Sequence, residues 1–228
     1  AKTKNSGFIL NNYLSNSLYN WSGLDIKNLN QASLDLEKLD ERFENLKKIQ
    51  NIFLNCYFDS PSTSDLFIEI TSDKKTDFSR YNYFYAIYEV SLGKNKEAER
   101  IINSALKLNP RNLLLNQYMK DFYQNKNPSI FNCKKREHVA AEMMYITANA
   151  LSSQSIYPQS NFYLNLAKYL NKDFHSYDTL LAENFYKIKN FKKAKKIYKK
   201  LSNHGEAFNW HSSKQLARIF IQEEDKST

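Results

Sequence analysis

The sequence predicts an all-helical protein in which pairs of helices stack into a solenoid. Three observations carry this expectation. Gly and Pro number only four each in 228 residues, too few for the turns of a β-sandwich or a doubly wound α/β domain. Aromatics are plentiful, with 16 Tyr and 15 Phe in a composition that is 42% hydrophobic, enough to build a sizeable core. The small residues Ala148, Ala182 and Ala217 recur 34 and 35 residues apart, a spacing at which helix pairs stack.

The elements follow in order. Phe8 to Trp21 and Leu29 to Leu39 read as a first helix pair. Asn45 to Tyr57 and Ser64 to Thr71 read as a degenerate repeat, with Leu54 and Leu66 twelve residues apart. Tyr81 to Pro110 reads as helix, turn, helix. Asp77 is expected to cap the first of these helices and Gly93 to end it in a left-handed conformation. Asn95 is expected to cap the second, and Pro110 follows its end. Ala86 and Ala98 lie twelve apart, one on each helix, where small side chains permit close approach. Leu113 to Gln124 reads as a single helix. Ala86 and Ala148 are 62 residues apart, not a multiple of 34, so the period is interrupted. The polar segment 125–136 is the expected linker between an N-terminal region, 1–124, and a C-terminal region, 137–228. Beyond it come Ala148 and Leu151 with Ser160 and Leu164, then Leu181, Ala182 and Phe185 with Phe191, Ala194 and Tyr198. A last half-copy carries Leu216, Ala217 and Phe220. The repeats are assigned to 81–114, 141–174, 175–208 and, as a half, 209–225.

These residues resemble the tetratricopeptide repeat family. Its pattern sets Trp, Leu-Gly and Tyr on a first helix, Ala and an aromatic four residues later on a second, and Pro at the end. Here Ala86, Ala98 and Pro110 fall in place with Ile102 in the aromatic slot, and Leu181, Ala182, Ala194 and Tyr198 follow the pattern more closely. Asn82 occupies the Trp slot, Glu89 the Tyr slot, and Lys172 and Glu206 the Pro slots of later copies. The arrangement also resembles large bacterial tetratricopeptide proteins, notably alphaproteobacterial ones. The resemblance implies a right-handed superhelix whose first helices line a concave groove holding a peptide or helix. Residues at i, i+4 and i+7 share a helix stripe. The groove-lining stripes are then Tyr83, Ile87 and Val90; Tyr145, Asn149 and Ser152; Thr179, Glu183 and Tyr186; and Lys214, Arg218 and Ile221. The bland alternative is that Tyr83, Ile87 and Val90 pack against a neighbouring helix. Some members clamp a carboxylate with a lysine and amides. Tyr145 stands in the lysine position and Leu180 in the second amide position, so that clamp is not supported.

Charge concentrates in one stretch. Lys187, Lys189, Lys192, Lys193, Lys195, Lys196, Lys199 and Lys200 run without an acid among them and account for nearly all of the net charge of +9. Phe191, Ala194, Tyr198 and Leu201 give that helix its buried face, so the lysines take the solvent face. Repulsion at i, i+4 costs a few tenths of a kcal/mol per pair, which a helix tolerates. A solvated outer helix is the bland reading. The sharp reading is a basic patch of Lys192, Lys193, Lys195, Lys196, Lys199 and Lys200 for an acidic protein or anionic surface. The run holds no arginine for bidentate phosphate contacts, which argues against nucleic acid.

Mean hydropathy is -0.66, and the most apolar stretch, Tyr83 to Leu92, is short and contains Glu89, so no transmembrane helix is expected. The chain opens Ala-Lys-Thr-Lys without Met and reads as a piece of a longer protein, soluble in cytoplasm or periplasm. Cys56 and Cys133 are expected as free thiols, with a single bridge as the alternative. His138, His175, His204 and His211 fit no zinc spacing, and no phosphate-cradling Gly-rich loop or nucleophile motif occurs. No catalytic residue, metal or cofactor is expected. The function expected is a protein-interaction scaffold binding a peptide or helix. A peripheral adaptor using the lysine helix is the alternative, and self-association of solenoid ends a third.

Overall fold

A computed structural model of the chain describes residues 6–73, 77–124, 126 and 130–224, with the side chains of 6–9 and 224 left aside. Twelve α-helices run through them: α1 (Ser6–Ser22), α2 (Leu29–Glu37), α3 (Glu44–Tyr57), α4 (Thr63–Ser72), α5 (Tyr81–Ser91), α6 (Asn95–Leu108), α7 (Leu113–Tyr123), α8 (Arg136–Ser153), α9 (Tyr157–Leu170), α10 (Ser176–Lys187), α11 (Phe191–Leu201) and α12 (Glu206–Glu224). No strand occurs among the described residues. The all-helical expectation is met, and each helix read from periodicity lies within a few residues of its expected place.

Three helix pairs, α5–α6, α8–α9 and α10–α11, are hairpins joined by three residues each. The middle residue of every turn is left-handed: Gly93 at φ 76°, Ser155 at 62° and Lys189 at 59°. The residue after it donates back to a carbonyl five positions earlier, Lys94 to Glu89, Ile156 to Leu151 and Asn190 to Phe185, at 2.8–2.9 Å. This is the Schellman stop, which satisfies carbonyls a helix end would otherwise orphan. Asp59 ends α3 in the same way. The small residues sit where each hairpin's helices cross. Ala86 and Ala98, Ala148 and Ser160, and Ala182 and Ala194 are all fully buried. Ala217 is instead exposed, because no helix among the described residues covers that face of α12.

Two expected caps are corrected. Asp77 accepts from the Ser79 amide within the preceding turn, not from α5. Asn95 is the first residue of α6 and Lys94 stands at its cap without a side-chain bond. Asn112 and Asn190 do cap α7 and α11, each accepting the amide three residues on.

Helices α8 to α12 pack one on the next, and the N-terminal helices fold against them. Helix α1 lies on α8, and α7 lies on α5, α6 and α12. One buried cluster runs from Tyr13 to Leu181, across segment 125–136, and includes Phe131 within it. A second joins Ala182, Tyr186, Tyr198, Phe208 and Ile219, with Leu113 of α7 packed on it. Arg80, just before α5, crosses to the C-terminal helices. Its guanidinium grips Glu142 of α8 with two bonds, 2.6 and 2.8 Å, and donates to Ser176 Oγ at 2.8 Å. Glu142 is 0% exposed. Burial disfavours the charge on Arg80, but the adjacent Glu142 carboxylate outweighs it and holds the guanidinium protonated well above its ordinary range.

The thiol expectation is also corrected. Cys56 at the end of α3 and Cys133 before α8 form a disulfide, with Cα atoms 6.0 Å apart. Seventy-seven residues separate them in sequence, so only the packing of 130–135 over α3 and α5 brings them within bonding geometry.

Candidate functional site

The predicted stripes meet different fates. Tyr83 is 2% exposed, stacked on Phe174 and edge-on to Tyr118 of α7, each at 5.5 Å. Ile87 is buried and Val90 packs on the same core. This first stripe is therefore interior, because α7 and the turn before α10 cover the face a groove would need. Tyr145 is half-buried, its ring 3.9 Å beneath the Arg80 guanidinium. Ser152 donates to Asn184 Oδ1 at 2.6 Å and Asn149 is open to solvent. On α10, Thr179 donates to the Ser176 carbonyl at 2.6 Å, and Glu183 accepts from Tyr198 and pairs with Lys187 at 3.7 Å. Tyr186 is buried under the Arg218 guanidinium at 4.4 Å. Only on α12 does a stripe stay open: Lys214, Arg218 and Ile221 are exposed.

One turn earlier on that stripe stands Trp210, 69% exposed, with Lys214 Nζ 5.5 Å over its ring. Between α12 and α7 it borders a groove of about 720 Å³. Arg111, Leu113, Asn116 and Lys120 form one wall; Trp210, His211, Lys214 and Gln215 form the other. The sequence reading missed Trp210. Its signal was the same i, i+4, i+8 spacing carried back from Arg218 through Lys214. Arg111 and Asn116 carried no such signal, since α7 meets α12 only in the folded chain.

The two walls are locked together. Gln117 of α7 reaches the start of α12, where its Oε1 accepts from the Ala207 and Phe208 amides at 3.0 and 3.4 Å. Its Nε2 donates to Asp121 at 2.8 Å. It thus caps a helix ninety residues away, satisfying donors that a helix start leaves open. Gly205 makes room: its φ is 134°, and a Cβ there would lie 2.1 Å from Gln117 Nε2.

Electrostatically the groove is positive. Glu206 is the one acid in its lining, and Lys120 neutralises it at 2.7 Å. Arg111 and Lys214 make no ion pair among the described residues. Burial holds the His211 imidazole below its ordinary value of 6.5, so it is neutral at pH 7. His204 stacks on His175, ring centres 3.5 Å apart, and His211 lies against Tyr198.

The basic patch lies where expected, with one exception. Lys192, Lys193, Lys196, Lys199 and Lys200 are exposed, while Lys195 is half-buried and paired with both oxygens of Glu223 at 2.8 Å. Among the described residues no group of histidine, cysteine and acidic side chains could hold a metal ion, and no helix is long and apolar enough to cross a membrane.

No protein-family model matches the chain, and no curated protein matches it.

Proposed function

We propose that the chain is a tetratricopeptide-like interaction scaffold that holds an extended, acidic peptide in the groove between α7 and α12. The observation that carries the reading is an exposed Trp210 flanked by Arg111 and Lys214, two cations without an ion-pair partner among the described residues, in a cleft whose single acid is already neutralised. Trp and Arg are the side chains that most often anchor an interface, and the cleft is within the size range of natural ligand sites. Gln215 lines the cleft, while the Asn116 Nδ2 group is taken up by the Pro110 and Asn112 carbonyls at 3.0 and 2.8 Å. The tetratricopeptide reading is supported by the three hairpins with identical stops and buried small pairs. The Cys56–Cys133 bridge supports work in an oxidising compartment, where such bonds persist.

Selection from a displayed random-peptide library tests this. Enriched peptides should carry acidic residues near an apolar one, and Trp210→Ala should weaken the best of them by about 30-fold. Lys214→Glu should weaken it further at low salt than at high salt, because exposed charge is screened. Binding indifferent to both substitutions would remove the groove from consideration.

A further inference from the structure

Among the described residues, helix α11 and the turn before it carry charge without an ion-pair partner. Lys189, Lys192, Lys193, Lys196, Lys199 and Lys200 are exposed and make no ion pair among the described residues. Of the described acids, Glu183 is engaged by Lys187 and Tyr198 and Glu223 by Lys195. Lys192 with Lys196 and Lys196 with Lys200 repel along the helix. Dissolved salt screens that repulsion in part, and an anionic surface would offset it more fully.

The turn narrows the kind of surface. It is a fixed Schellman stop, with Lys189 left-handed at its tip and Asn190 capping α11 through the Lys193 amide at 3.2 Å. Ile188 protrudes there, 44% exposed, between Lys187 and Lys189 and a turn from Lys192. An apolar side chain set among cations on a rigid tip suits a bilayer, whose headgroups take the lysines and whose acyl boundary takes the isoleucine. Nucleic acid would leave Ile188 without a role. The other features nucleic acid prefers are also missing: α11 has no arginine, and its one aromatic beyond Phe191, Tyr198, is fully buried. We infer that the α10–α11 turn and the lysine face of α11 seat the protein on an anionic phospholipid surface, with Ile188 entering the headgroup layer. This surface is separate from the α7–α12 groove.

Co-sedimentation of the intact, disulfide-bonded chain with vesicles tests the inference. Vesicles of phosphatidylcholine alone are compared with vesicles one-third phosphatidylserine, with a duplex DNA of matched phosphate concentration as competitor. Binding is expected only to the anionic vesicles and should fall steeply between low and moderate salt. Lys192→Glu/Lys193→Glu/Lys196→Glu should lower partitioning more than about 100-fold, and Ile188→Ser about five-fold at unchanged charge. Circular dichroism verifies that each variant folds. Should the triple variant unfold, Lys→Gln at the same three sites, which removes the charge without reversing it, is measured instead and should lose at least about 20-fold. Equal binding to both vesicle types, or none to either, overturns the inference. So does full partitioning of Ile188→Ser, which would leave a purely electrostatic contact. Tighter capture by the DNA than by the anionic vesicles would reassign the face to nucleic acid.

Discussion

Hairpins α5–α6 and α10–α11 share one local grammar and end in opposite environments. Both cross at a buried alanine pair and turn through the same left-handed stop. Yet α5 is sealed, with Tyr83, Phe84 and Ile87 in the central core, while α10 keeps Glu183 half-buried, a third of its side chain open to solvent. The outer helices differ too. Arg100 on α6 is paired within the helix to Glu97 at 2.5 Å, whereas α11 presents lysines alone. The comparison teaches that the repeat specifies how two helices meet, and that the surroundings specify what their outer faces are for. The α5 face became core because Arg80 and α7 draw it against the C-terminal helices.

Arg80→Met should do the most to break that arrangement. It leaves Glu142 charged, buried and unpaired, a change that costs about 3–5 kcal/mol, read as a shift in the urea midpoint. Pairing it with Glu142→Met should recover most of the loss. A single substitution costing less than about 1 kcal/mol would mean that the aromatic contacts alone hold α5 in place.

Reducing the Cys56–Cys133 bridge, or replacing both with Ser, should cost about 4.5 kcal/mol by the chain-entropy account, given the 77-residue separation. The loss should fall on the α3–α5 side, so amide exchange should quicken there before it quickens in α10–α11. Uniform loss of protection would show that the two hairpins unfold as one unit.

Gly205→Ala sets a Cβ into Gln117 and into a backbone conformation that L side chains rarely adopt. A loss of about 2 kcal/mol is expected, with peptide binding at the groove falling alongside because α7 and α12 separate. Stability lost without binding lost would uncouple the groove from this cap.

The smallest effect sharpens the comparison from the other side. Gly already fills the left-handed site of the α5–α6 turn, while Lys fills it in α10–α11. Lys189→Gly should stabilise the chain by about 0.5 kcal/mol, measured as a small rise in melting temperature, and Gly93→Lys should destabilise it by a similar amount.

Local sequence carried a good share of this. Gly93 announced its turn because left-handed backbone is easiest for glycine, and Ala182 with Ala194 announced a crossing because close helix approach needs small side chains. The lysines of α11 declared a solvent face because Phe191, Ala194, Tyr198 and Leu201 claimed the other. Ser155 and Lys189 were silent about their left-handed turns, since the hydrogen bonds of the stop, not side-chain identity, hold them there.

What the sequence determined by itself is therefore the set of helices, their hairpin pairing and the basic face of α11, all of which depend on residues within a few turns of one another. Tertiary structure alone decided the rest. Arg80 finds Glu142 across 62 residues, Cys56 finds Cys133 across 77, and Gln117 caps α12 across ninety. Each depends on where α1 to α7 fold against α8 to α12, a long-range packing solution in which side chains far apart in sequence share one interior. For that reason the stripe of Tyr83 became core, and the open groove arose instead where α7 meets Trp210.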